Sequence, residues 1–264
     1  MSTASITSSV QAGVAVVAIE RPEVGNALRG VDLEELARTL EQWDRDDAVR
    51  VIVLADSGER FFCTGSDINE LAGGVSDIGR HLAKWHRVAD ALERSSKPVI
   101  ACINGAAIGG GLELALASHV RFAAEHAKLG LPELKVGLFP SAGGVRRMTR
   151  LVGQGKALDL VLGAGMLTAS QALALGVVER VVPAGDLMAE VLAYARRLAS
   201  FEPNAVAAVL ACGYAAANRT DSNDLEARLM RDCYEAPRNR AVLQSFLQTP
   251  REKNPASTAD GSRT

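Results

Sequence analysis

The chain has 264 residues, 48% of them hydrophobic and 23% charged, with a formal net charge of −2. That length and composition suit a globular protein with one large core, alone or with an appendage. The balance of charge excludes the broad basic footprint of a nucleic-acid binder, and no apolar run reaches the roughly 18 residues of a membrane span.

In chain order, the stretch GVAVVAIERP predicts a strand ended by Pro22, since β-branched residues crowd together and proline cannot continue the ladder. Leu33, Leu36 and Leu40 recur at helical spacing over 31–43, with Asp32 near the start. VRVIVLADSG is almost wholly apolar, as expected of a strand covered on both faces. A helix over about 78–94, the strand KPVIACING and a helix in LELALASHV follow. Arg146, Arg147 and Arg150 read as a solvated helix face, or as a patch for a small anion. MLTASQALALGVVERVVP predicts a helix capped near Thr168 or Ser170, stopped by Gly176 and followed by a strand. From Asp186 onward no strand is expected. Strand–helix alternation makes this an α/β protein. The expected organisation is a core over 1–200, helices over 201–248 and a disordered tail over 249–264. The opening MSTASITSSV lacks a secretory-signal pattern, which gives a cytoplasmic expectation. The four cysteines show no C-x-x-C spacing and the four histidines no H-E-x-x-H, so no metal is expected.

The chemistry concentrates in NGAAIGGGLELA, where three glycines in a row cost backbone entropy and fill no core. The spacing fails the dinucleotide fingerprint, and LVGQGKAL lacks the residues of a phosphate loop around Lys156. What remains is strand, glycines, helix. Its N–H groups can serve a developing oxyanion as well as a phosphate. RFFCTGSDI makes a second strand-to-helix turn that could converge on the same carbonyl oxygen. Glu113 and Glu133 are the acidic residues of the glycine segment and of LGLPELKVGLFPSAGG. On their surroundings alone, Glu113 also reads as a backbone cap and Glu133 as a first-turn residue facing a helix dipole.

Five motifs in order and spacing resemble the crotonase, or enoyl-CoA hydratase/isomerase, superfamily: ERPEVGNALR, FFCTGSDI, INGAAIGGGLELA, LPELKVGLFPSAGG and LTASQALALGVVERVVP. The resemblance spans about residues 10–200. It implies a spiral of repeated ββα units with a C-terminal helical region that builds trimers, often paired into hexamers. It also implies an acyl-CoA thioester ligand, with no cofactor beyond the coenzyme A of the substrate. By the same resemblance, the N–H groups of Thr64 and Gly110 hold the thioester oxygen. Ala27 to Arg29 and Ser66, Asp67 and Ile68 hold coenzyme A. Glu113 activates water and Glu133 supplies a proton in hydration of a 2-enoyl-CoA. Within the family the alternatives are an isomerase with Glu133 as proton shuttle and a non-catalytic acyl-CoA binder. Ser141 stands where the hydratases usually have glycine, so its hydroxyl is expected to meet a catalytic carboxylate or the water.

Overall fold

A two-residue turn at Ala12 and Gly13, both with positive φ, folds β1 (Ile6–Gln11) back on β2 (Val14–Ile19) in the computed structural model, which describes residues 5–74 and 77–248. The polar sequence ITSSVQ gives β1 no apolar alternation, and its ladder with β2 supplies the strand instead. Helix α1 (Gly30–Arg45) follows, burying Leu33, Leu36 and Leu40 as their spacing predicts.

From here two strands and a helix repeat. The first such unit is β3 (Val51–Asp56) and β4 (Phe61–Cys63), followed by a short α2 (Ile68–Ala72) and then α3 (Ile78–Glu93). Next come β5 (Val99–Ile103), β6 (Ala106–Ile108) and α4 (Gly110–Ala117). The third unit is β7 (Val120–Ala124), β8 (Lys128–Gly130), α5 (Gly144–Val152) and α6 (Gln154–Leu162). The chain continues through β9 (Met166–Thr168), α7 (Ala169–Leu175), β10 (Arg180–Val182) and α8 (Leu187–Ala199). The first strand of each unit joins a six-stranded sheet, β1-β2-β3-β5-β7-β10, and the second a four-stranded sheet, β4-β6-β8-β9. This is the repeated ββα turn that the family resemblance implies.

The two faces of the large sheet explain its apolar strands. Ile52, Leu54, Ala101 and Ile103 pack into the main core with α1, α3 and α4, while Val51, Val53, Ile100 and Cys102 meet Leu187, Val191 and Ala195 of α8. The expected helix over LELALASHV is shorter, since α4 ends at Ala117 and Val120 already belongs to β7. Thr168 caps α7 through the Gln171 N–H at 3.1 Å, and Gly176 ends it in the left-handed region.

The chain divides into two compact units, Met1–Asp221 and Ser222–Thr264. The first includes α9 (Pro203–Ala217), so the division falls after Asp221 and not at residue 200. The second contains α10 (Asn223–Glu235) and α11 (Pro237–Gln248). The expected tail over 249–264 lies outside the described residues. Among the described residues, no helix is long and apolar enough to cross a membrane.

Candidate active site

Strands β4 and β6 pair in parallel, so the turns that follow them emerge together. The turn after β4 contains Thr64, Gly65 and Ser66, and the one after β6 opens α4 at Gly109 and Gly110. A Cβ built on Gly65 would stand 2.9 Å from the Gly110 nitrogen. The glycine run now has separate physical reasons. Gly109 takes φ 54° and ψ −126°, a conformation that L side chains avoid. A Cβ on Gly110 would come within 2.6 Å of the Trp85 ring, and one on Gly111 would overlap the Cys63 carbonyl. The segment is a place of close backbone approach.

The N–H groups of these turns divide into used and unused. The Thr64 N–H donates to the Gly25 carbonyl at 3.1 Å, so the expected role of Thr64 in holding an oxyanion is corrected. Leu28 and Ser66 form a parallel bridge, in which Leu28 donates to the Gly65 carbonyl and Asp67 donates to the Leu28 carbonyl. That alternation turns the Ser66 N–H away from Leu28. Among the described residues the Ser66 and Gly110 N–H groups have no acceptor. Ser66, expected to hold coenzyme A, therefore carries the second unused N–H beside that of Gly110.

The same bridge sets Ala27, Leu28 and Arg29 alongside Ser66, Asp67 and Ile68, bringing together the two segments expected at coenzyme A. Their charged side chains are committed within the protein. Arg29 forks onto Asp32, with bonds of 2.9 and 2.8 Å. Asp67 caps α2 through the Asn69 N–H at 3.0 Å and accepts from Arg21 at 3.1 Å. Ala27 is buried, while Ile68 is two-thirds exposed. The backbone and Ile68 remain for a ligand.

Glu113, one turn into α4, is only 4% exposed. It does not cap its own helix. Its Oε1 accepts from the Gly144 N–H at 2.7 Å, at the start of α5. Burial pushes its pKa up to about 7, and the nearby Glu133 charge adds to that. The N–H groups of Gly144 and Ala142, and the Arg147 charge, act in the opposite sense. Glu133 opens a 3₁₀ turn (Glu133–Val136) after β8. A Cβ on Gly109 would stand 3.1 Å from its Oε1, so its carboxylate lies against the glycine turn. Burial raises its pKa too, and among the described residues its Oε2 is enclosed without a partner. The structure therefore brings together Glu113, Glu133, Gly110 and Ser66.

Ser141 enters differently from the expectation. Among the described residues its hydroxyl bonds neither carboxylate. Its carbonyl instead accepts from His86 Nε2 at 2.9 Å. The arginine cluster is also corrected: Arg147 is 3% exposed and, with Arg146 and Arg150, binds Glu93 of α3. The anion these arginines meet is a side chain of the protein itself. Sequence reasoning missed Trp85, His86 and Gly144. Trp85 lies on the buried stripe of α3 with Val88, Ala89 and Leu92, which reads as ordinary core.

A model of the enoyl-CoA hydratase/isomerase family matches residues 9–254. The chain is 37% identical over 251 residues to a probable enoyl-CoA hydratase of Bacillus subtilis, covering 92% of this chain and 96% of that one. It is 38% identical over 194 residues to a short-chain-enoyl-CoA hydratase of Clostridium acetobutylicum, covering 73% and 74%. The crystal structure of an enoyl-CoA hydratase from Bacillus anthracis superimposes with a TM-score of 0.86 at 32% identity, covering 92% and 96%.

Proposed function

The chain belongs to the enoyl-CoA hydratase/isomerase family, and from that premise we propose that it adds water across the double bond of a 2-enoyl-CoA thioester. The observation that carries this reading is a pair of carboxylates at the glycine turn, Glu113 buried and Glu133 half-buried, with the Glu133 carboxylate against Gly109 and Glu113 one turn into the helix that Gly109 caps. Both lie at the turn that carries the unused Gly110 N–H.

In this reading the N–H groups of Ser66 and Gly110 hold the thioester oxygen. Two N–H groups held in place by the fold stabilise the enolate charge as it forms, one such donor contributing about 10²–10³ in rate. Glu113 accepts a proton from water as the water oxygen bonds to the β carbon. Glu133 delivers a proton to the α carbon, and the proton left on Glu113 restores Glu133 before the next turnover. The division of labour follows from surroundings. Burial pushes the Glu113 pKa up to about 7, so it is part-ionised at neutral pH, and the Gly144 N–H bonds its charged form. Among the described residues the enclosed Oε2 of Glu133 has no donor to hold a charge, which suits an oxygen that carries a proton. No cofactor is needed beyond the coenzyme A of the substrate. We also assign a homotrimeric or homohexameric state, as the family resemblance implies, with Met230 and Tyr234 of α10 offering exposed apolar surface for it.

The test is a spectrophotometric screen of 2-enoyl-CoA and 3-enoyl-CoA thioesters with the wild-type chain, Glu113→Gln and Glu133→Gln. Crotonyl-CoA comes first, given the similarity to a short-chain hydratase. Hydration lost in both variants, with fold retained, is expected. Double-bond migration that survives Glu113→Gln and fails in Glu133→Gln would make the protein an isomerase. Binding without turnover on either series would make it a non-catalytic acyl-CoA binder.

A further inference from the structure

Helix α3 grips the segment between Pro140 and Gly144 at two points. His86 holds the Ser141 carbonyl at 2.9 Å. Seven residues further along the helix, Glu93 holds Arg147 at 2.6 Å, and Arg147 in turn donates to the Ala142 carbonyl at 2.8 Å. Seven residues are two helical turns, so His86 and Glu93 lie on one face of α3. The grip matters because the approach to this segment is exposed, with Leu138 and Phe139 more than half accessible.

The peptide between Ser141 and Ala142 is one rigid plane, with its carbonyl and N–H pointing in opposite directions. His86 bonds the carbonyl end, and two residues beyond the other end the Gly144 N–H donates to Glu113 at 2.7 Å. A carbonyl can only accept, so His86 must carry its proton on Nε2, both as the neutral ring and as the imidazolium. We propose that His86 is a positioning residue, which holds this peptide plane and, through the short backbone stretch that follows it, the Gly144 N–H that faces the Glu113 carboxylate. The role rests on Glu113 acting as the base of hydration.

Loss of the His86 bond frees the plane to turn, and Glu113 then loses part of the N–H support for its ionised form. The ascending limb of the pH–rate profile, where the base ionises, moves to higher pH. Glu133 and Arg147 face Glu113 and stay in place. Around His86, the groove between α1 and α3 presents Glu41, Arg45, Arg87 and Asp90. None of these supplies a donor on the far side of the Ser141 carbonyl in the described structure.

The experiment compares His86→Phe, which keeps the ring without a donor, with His86→Gln, which keeps a donor near the Nε2 position. On crotonyl-CoA, His86→Phe is expected to lower kcat about threefold to tenfold, the scale of one hydrogen bond. KM should be unchanged, and the ascending limb should shift upward. His86→Gln should restore both kcat and the limb. Equal rates and pH profiles in wild type and His86→Phe would overturn the proposal. So would a loss in His86→Phe that Gln does not rescue, or one that leaves the limb in place. Failure of the underlying reading looks different: wild-type protein that does not hydrate crotonyl-CoA, or Glu113→Gln that still does.

Discussion

The Glu113 carboxylate accepts a 2.7 Å hydrogen bond from the Gly144 N–H, and Gly144 leaves no room beside it. A Cβ at residue 144 would stand 2.8 Å from Glu113 Oε1 and 2.9 Å from Cγ. One residue thus supplies the donor and sets the distance. Gly144 opens a helix and does not have positive φ, so its value is space and not conformational freedom.

Gly144→Ala therefore isolates the effect of displacing Glu113. Alanine suits the helical backbone, and its methyl must push the carboxylate aside. We expect kcat on crotonyl-CoA to fall about 10²-fold, since a shift near 1 Å in a reacting group costs that much. Overpacking should cost about 1–3 kcal/mol of stability. Steady-state kinetics beside a urea melt would check this, and an alanine variant with wild-type kcat would show that Glu113 need not stand where Gly144 holds it.

The pKa of Glu113 links catalysis to stability. In the fold it ionises near pH 7, against an ordinary value of 4.5. Between those values the folded chain keeps a proton that the unfolded chain releases. The stability contribution of this group is thus fully present below about pH 4.5 and lost as pH rises through about 7. Glu113→Gln never carries the charge, so it should be more stable than wild type at pH 8, by up to about 3 kcal/mol. The difference should shrink towards pH 5. Urea denaturation at both pH values measures it, and equal stabilities at pH 8 would mean that burying this charge costs nothing. Wild-type hydration should rise with pH near neutrality as Glu113 ionises.

The assignment of the N–H pair has a backbone test. Replacing one amide by an ester removes a single N–H and leaves every side chain. An ester at residue 66 should lower kcat about 10²–10³-fold, the effect of deleting one oxyanion donor. An ester at residue 64 removes only the bond to Gly25 and should cost about 1 kcal/mol of stability with little change in kcat. The reverse pattern would restore Thr64 to the role the motif suggested.

That contrast shows how far the sequence was legible. The leucines of α1, the doubly covered β3 and the caps of α7 each follow from a local rule, and the structure contains them. The three-residue strands β6, β8 and β9 are too short to show a period, and β1 exists through its hairpin partner. Both carboxylates stood out as charges in apolar surroundings. The donor at residue 66 did not, because which N–H of a turn is unused depends on Gly25 and Leu28, about 40 residues earlier in the chain. The burial of Arg147 was hidden for a similar reason, since its partner Glu93 lies on another helix.

The C-terminal helices predict assembly. Helix α10 buries none of its residues, and Met230 and Tyr234, four apart and so on one face, are 66% and 59% exposed. On α11, Val242 and Leu243 are about half exposed. Most helical stability comes from burying an apolar face, so such helices need a partner surface. The family resemblance implies that a second copy of the chain provides it. Light scattering at micromolar concentration should give the mass of a trimer or hexamer. Met230→Glu should shift that mass towards the monomer, because a charge buried without a partner opposes association by several kcal/mol. A wild-type monomer under these conditions would overturn the assignment. A wild-type trimer unaffected by Met230→Glu would move the interface away from α10, to other exposed apolar residues such as Val209 of α9.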